Sequence, residues 1–211
     1  SQIEMDRLSC RLRAYMQKTF GGGGPGMLPI QTIIPSFAIS QYAQGNLALQ
    51  TCFGDSLALR ANGNYGPMVQ CFHLSGSSST DYKSSQHKGA DPRVMTFSSV
   101  KLLFNNRPGP LSATLVNRQH GGSSTQESAS AEVGMMHFQL DSASNSLRLQ
   151  LQGNADIYGV MLDNGPGVSV DNIPMRGCSG QQFTMINQQQ LADAYALMVV
   201  GIVILQFGGN S

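Results

Sequence analysis

The sequence predicts an α/β domain interrupted by an inserted antiparallel β-sandwich, and three observations predict it. The chain opens on an amphipathic helical stripe. Its long middle block alternates apolar and polar residues with the period of two that half-buried strands require. Its last part returns to a helical stretch followed by an apolar run of the kind buried on both faces of a parallel sheet. The texture changes place the boundaries at 1–26, 27–170 and 171–211.

Met5, Leu8, Leu12, Tyr15 and Met16 fall on one side of a helix, with Arg7, Arg11, Arg13 and Lys18 elsewhere. The glycine-rich run 21–26 stops this helix and reads as a hinge or domain boundary. In the middle block, Met136, Phe138 and Leu140 alternate with His137 and Gln139, and Leu147, Leu149 and Leu151 with Arg148, Gln150 and Gln152. Residues 94–104, 111–116 and 157–162 add short strand-like runs, separated by turn pairs at Asn62-Gly63, Pro108-Gly109 and Asn164-Gly165. Two serine-rich tracts, 75–85 and 121–130, read as exposed loops. Residues 183–198 allow a helix with Leu191, Tyr195 and Met198 on one side. The run 199–207 reads as a buried strand, broken by Gly208, Gly209 and Asn210.

A length of 211 residues suffices for one large or two small cores. Only 12% of residues are charged and the formal net charge is +1, so the composition carries no electrostatic footprint for nucleic acid or an anionic membrane. Glycine, serine, asparagine and glutamine are abundant, which suits a neutral polar partner such as a glycan. Cys10, Cys52, Cys71 and Cys178 have neither CxxC nor Cys/His spacing, so no zinc site is expected, and no residue pattern calls for another metal or a cofactor. No apolar run reaches the length that spans a bilayer, and the oligomeric state is left open.

Three positions carry the candidate chemistry. Ser1 opens a helix, where a nucleophile gains from backbone N–H groups and the positive dipole end. Gly180 precedes another helix and offers a backbone N–H. Asn210 follows two glycines beyond the carboxyl end of the apolar run, where α/β sheets place their ligands, and can aim a side-chain N–H at a reacting atom. Each also has a plain reading: Ser1 as a helix N-cap, Gly180 as a turn glycine, Asn210 as a strand-end cap.

The opening Ser1-Gln-Ile-Glu-Met-Asp-Arg, the Phe20-Gly-Gly-Gly-Gly-Pro-Gly that follows, Tyr158-Gly-Val-Met-Leu-Asp, Gly167-Val-Ser-Val-Asp-Asn, the Arg176-Gly-Cys-Ser-Gly turn and the closing Phe207-Gly-Gly-Asn-Ser together resemble the SGNH (GDSL-type) hydrolases of bacterial cell envelopes. Within that family they are similar to the O-acetylesterases of peptidoglycan and other polysaccharides that carry an inserted carbohydrate-binding-like, jelly-roll sandwich. The resemblance implies a flavodoxin-like three-layer hydrolase domain, incomplete here, formed by 1–26 and 171–211, with 27–170 inserted. It implies Ser1 as nucleophile, Gly180 as oxyanion N–H donor and Asn210 as oxyanion side chain, supported by Gly208 and Gly209. It further implies an extracytoplasmic location, an acetylated polysaccharide or peptidoglycan substrate, and no cofactor.

Three features depart from the family pattern. No Gly-Asp precedes Ser1, Ser211 stands where the family has Asp, and the Asp-x-x-His block is missing. The expectation is therefore a piece of a longer enzyme, inactive by itself, whose catalytic histidine is not in this chain. Gly54-Asp55-Ser56-Leu57 spells the family tetrapeptide but is followed by a short strand and a turn instead of a helix, so Ser1 is preferred over Ser56. His73, His87, His120 and His137 read as solvated or structural. Tyr42, Tyr65 and Tyr82 are candidates for a sugar-stacking platform. The alternative function is a non-catalytic glycan-binding or adhesion module; a lipase or thioesterase of the same fold ranks below both, since no apolar lid is evident.

Overall fold

The computed structural model describes residues 2–33, 35–51, 63–85, 90–173 and 180–205. Helix α1 (Gln2–Phe20) leads into β1 (Gly26–Leu28), β2 (Ile39–Thr51), β3 (Gln70–Ser84), β4 (Phe97–Asn105), β5 (Leu111–Asn117), β6 (Ser123–Ser128), β7 (Gly134–Ser144) and β8 (Ser146–Asp163), and α2 (Gln188–Met198) closes the series. Every strand pair among the described residues is antiparallel. The α/β layer expected around the sandwich is not formed among them.

β8 organises the sheet. One edge pairs with β3, from Phe72↔Ile157 to Lys83↔Ser146, and then with β1 at 160–162. The other edge pairs with β5 at 147–153 and with β4 at 156–163. This exchange of partners along one strand wraps the sheet around a main core, with smaller clusters outside it. Leu147, Leu149 and Leu151, the alternating residues expected to point inward, do so with at most 2% exposure, against Phe72, Leu102 and Phe138. Each such side chain contributes about 1.5–3 kcal/mol by leaving water.

The far half of β8 is buried on both faces. On its outer side Tyr158 and Met161 pack with Met27, Met68 and Leu103 beneath Ala194 of α2. Asn187 caps α2, its side chain accepting from the Gln190 N–H at 3.1 Å. Among the described residues no helix is long and apolar enough to cross a membrane.

Several local expectations are corrected. The serine-rich tracts are mostly strand: 75–84 lies in β3 between β2 and β8, and 123–128 forms β6. Serine and threonine fit a pleated strand when neighbours on both edges satisfy the backbone, and Thr80 is fully buried there. The glycine run is not a hinge. Asn164 N donates to Gly23 O at 2.9 Å and Val168 N to Gly21 O at 3.1 Å. Gly24 sits at φ +89°, where a Cβ would lie 2.2 Å from the Leu162 carbonyl oxygen, so the run is a close-packed strap.

Helix α1 also turns the unexpected side inward. Cys10, Arg13 and Gln17 are buried, whereas Leu8, Leu12 and Tyr15 are exposed. Arg13 Nε donates to Val170 O at 2.6 Å and Gln17 Nε2 to Gly24 O at 3.0 Å, so polar side chains pin this helix to loop carbonyls. The described part of the final apolar run, 199–205, forms no strand, and Ile202 and Ile204 are each 83% exposed. A strand buried on both faces needs paired neighbours and covering helices, and no described strand lies beside it.

Candidate functional site

Ser1, Gly208, Gly209 and Asn210 lie outside the described residues, as do Ser56 with its Gly54-Asp55 and His87. Gly180 is described. It precedes a 3-10 turn at Gln181–Met185 with φ 88° and ψ −12°, a left-handed conformation that glycine adopts without a Cβ penalty. Its carbonyl accepts from Phe183 N at 3.2 Å.

The described residues bring together a polar cluster that the sequence reading did not single out. Asp156, 3% exposed on β8, accepts at Oδ1 opposite His73 Nδ1 at 2.9 Å and at Oδ2 from Asn64 Nδ2 at 2.7 Å. Tyr158 OH donates to Asn64 Oδ1. The β3–β8 register sets His73 directly across from Asp156. A carboxylate on Nδ1 fixes the imidazole tautomer and aims Nε2 outward, the relation that orients a general base. Asp156 thereby ties the β3–β8 pair at His73 to the loop at Asn64. The signal available beforehand was only the spacing of two strands, which register alone converts into a contact.

The outer face of the β2–β3–β8–β5–β6 part of the sheet is open and polar. Register aligns Gln44, Ser79, Gln150, Thr114 and Thr125 across five strands, and Tyr42, Asp81 and Arg148 in the adjacent row. Tyr42 is 62% exposed and its hydroxyl accepts from Gln44 Nε2 at 3.0 Å. Asp81 receives Arg148 through two contacts of 2.8 and 2.6 Å. Those Arg148 hydrogen bonds hold the Asp81 carboxyl below its ordinary range. Tyr65 and Tyr82 do not join Tyr42: they are 1% and 0% exposed, and burial pushes the Tyr82 phenol up. The three-tyrosine platform is thus reduced to one ring, because alternation along β3 points Tyr82 into the core. Amide and hydroxyl groups of this kind hydrogen-bond neutral polar ligands, and the Tyr42 ring offers an apolar face.

These residues define an antiparallel β-sandwich with a hydroxyl- and amide-rich open face. Over 90% of the chain that fold is shared with a solved structure of a peptidoglycan O-acetylesterase in action, at 17% identity and a TM-score of 0.58. The chain spans 49% of the length of that structure. Weaker likenesses are to an exo-β-1,3-galactanase from Phanerochaete chrysosporium with galactose, at 14% identity over 61% of this chain and 30% of that one with a TM-score of 0.37, and to a family 29 carbohydrate-binding module, at 9% identity over 66% and 89% with a TM-score of 0.38. No protein-family model matches the chain, and no curated protein matches it.

Proposed function

We propose that this chain belongs to a serine esterase that removes O-acetyl groups from a polysaccharide or peptidoglycan outside the cytoplasm. The observation that carries the reading is the shared fold with the peptidoglycan O-acetylesterase structure, taken with the order of short blocks, Ser1, Gly180 and Asn210, around a β-sandwich. In this reading 1–26 and 171–211 are parts of the SGNH-type hydrolase domain. The outward Leu8 and Leu12 of α1 and the exposed run 199–205 support it, since both present surface that an α/β layer would cover. Residues 27–170 hold the glycan.

The Ser1 hydroxyl attacks the ester carbonyl and its proton passes to a histidine outside these residues. The Gly180 N–H and the Asn210 amide hold the tetrahedral oxyanion, with Gly208 and Gly209 keeping the approach clear. Collapse of the intermediate expels the sugar hydroxyl, and water then releases acetate from the acyl-serine.

The second reading, a non-catalytic glycan-binding module, is favoured by the open polar face around Tyr42 and Gln150. Acetate release separates the two. The intact protein from its source should liberate acetate from an aryl acetate and from an O-acetylated polysaccharide, and Ser1→Ala should abolish both. Polysaccharide binding without acetate release, indifferent to Ser1→Ala, assigns the binding role.

A further inference from the structure

The sequence shows no basic cluster, yet folding builds a small one. Arg7, Arg11 and Lys18 lie at i, i+4 and i+11 of α1 and so share one face over about 16 Å. All three are exposed, and none forms a salt bridge among the described residues. The guanidinium of Arg7 stands 5.5 Å from the centre of the Phe37 ring, within cation–π range. Beside this row opens a cavity of about 270 Å³ lined by Arg11, Lys18, Tyr15, Phe37, Asp91 and the buried Cys10. Among the described residues Asp91 is the only acid of the lining, and its carboxylate is already engaged by Arg93, through N at 2.9 Å and Nη1 at 3.4 Å. Arg11 and Lys18, without an ion-pair partner among the described residues, therefore face the cavity, and Tyr15, 65% exposed, offers a ring at its rim.

We infer that this cavity binds a carboxylate-bearing sugar unit of a glycan chain. The carboxylate bridges Arg11 and Lys18 while the C–H face of the sugar ring rests on Tyr15. The volume lies just under that of typical small-molecule pockets and suits one or two sugar rings. This inference rests on the carbohydrate reading above, though not on hydrolysis.

Three hexameric probes test it by calorimetry at low salt: hexagalacturonic acid, neutral cellohexaose and hexaglutamate. Hexagalacturonic acid should bind at least about tenfold more tightly than the other two and lose affinity as salt is raised. The exposed double substitution Arg11→Gln with Lys18→Gln should weaken it about tenfold and flatten the salt dependence, with the melting temperature unchanged. Tyr15→Ala should weaken it without altering the salt dependence. Equal binding of hexaglutamate would reduce the cavity to a general cation face, and absent or variant-insensitive binding of hexagalacturonic acid would overturn the proposal. Aryl acetate hydrolysis, followed in the same samples, reports separately on the esterase.

Discussion

His73 Nδ1 and Asp156 Oδ1 meet at 2.9 Å across the β3–β8 register, with Asp156 buried and His73 partly open to solvent. The same carboxylate takes the Asn64 amide at 2.7 Å, so one buried anion ties two strands to the loop before β3. Asp156→Ala removes the acceptor shared by the Asn64 amide and the partly exposed His73 and should cost about 2–4 kcal/mol in urea unfolding. A loss under about 0.5 kcal/mol would mean that water replaces the carboxylate without penalty.

The Asp81–Arg148 pair sets a pH dependence. Arg148 holds the Asp81 carboxyl below its ordinary value of 3.8, so its contribution to stability is complete above that pH and fades as pH falls through the lowered value. Asp81→Asn should therefore flatten the acid limb of a melting-temperature profile below about pH 4 and lower neutral-pH stability by no more than about 1 kcal/mol, because the pair is partly solvated. An unchanged acid limb in the variant would show that Asp81 is not the titrating group.

At the end of α2, Val199 adopts φ 57° with its N–H bonded to Ala196 O at 3.1 Å, and its side chain is 86% exposed. A β-branched residue in this left-handed cap position is strained where glycine is not. Val199→Gly should stabilise the protein by about 1 kcal/mol by chemical denaturation. A destabilised variant would argue against this cap geometry.

Gly24→Ala should act in the opposite direction. The added Cβ would meet the Leu162 carbonyl at 2.2 Å from a backbone at φ +89°, and the strap cannot shift without losing its hydrogen bond from Gly24 N to Arg93 O at 2.6 Å. We expect a loss of at least about 2–3 kcal/mol, read as a drop in unfolding midpoint. A neutral outcome would restore the hinge reading of 21–26.

Catalysis has its own test in Asn210→Ala. In the acetate-releasing protein this substitution should lower kcat by about two to three orders of magnitude, the usual cost of removing one oxyanion donor. A fall of less than about fivefold removes Asn210 from the oxyanion site.

Much of the sandwich was legible in the sequence because its signals are local. The period-two alternation of Leu147, Leu149 and Leu151 names the inward face before any partner is known, and Pro108-Gly109 marks the turn where Gly109 N meets Asn106 O at 3.1 Å. Of the candidate site, the sequence names Ser1, Gly180 and Asn210 as residue types only: Ser1 and Asn210 lie outside the described residues, and Gly180 stands in a left-handed turn. What the tertiary structure alone decided depends on neighbours distant in the chain. The serine tract of β3 became strand because β2 and β8 satisfy its backbone on both edges, and Asp156 reached His73 only through register. Helix α1 turned Arg13 and Gln17 inward because buried loop carbonyls demand donors more strongly than Leu8 and Leu12 gain from a surface with nothing described to cover them.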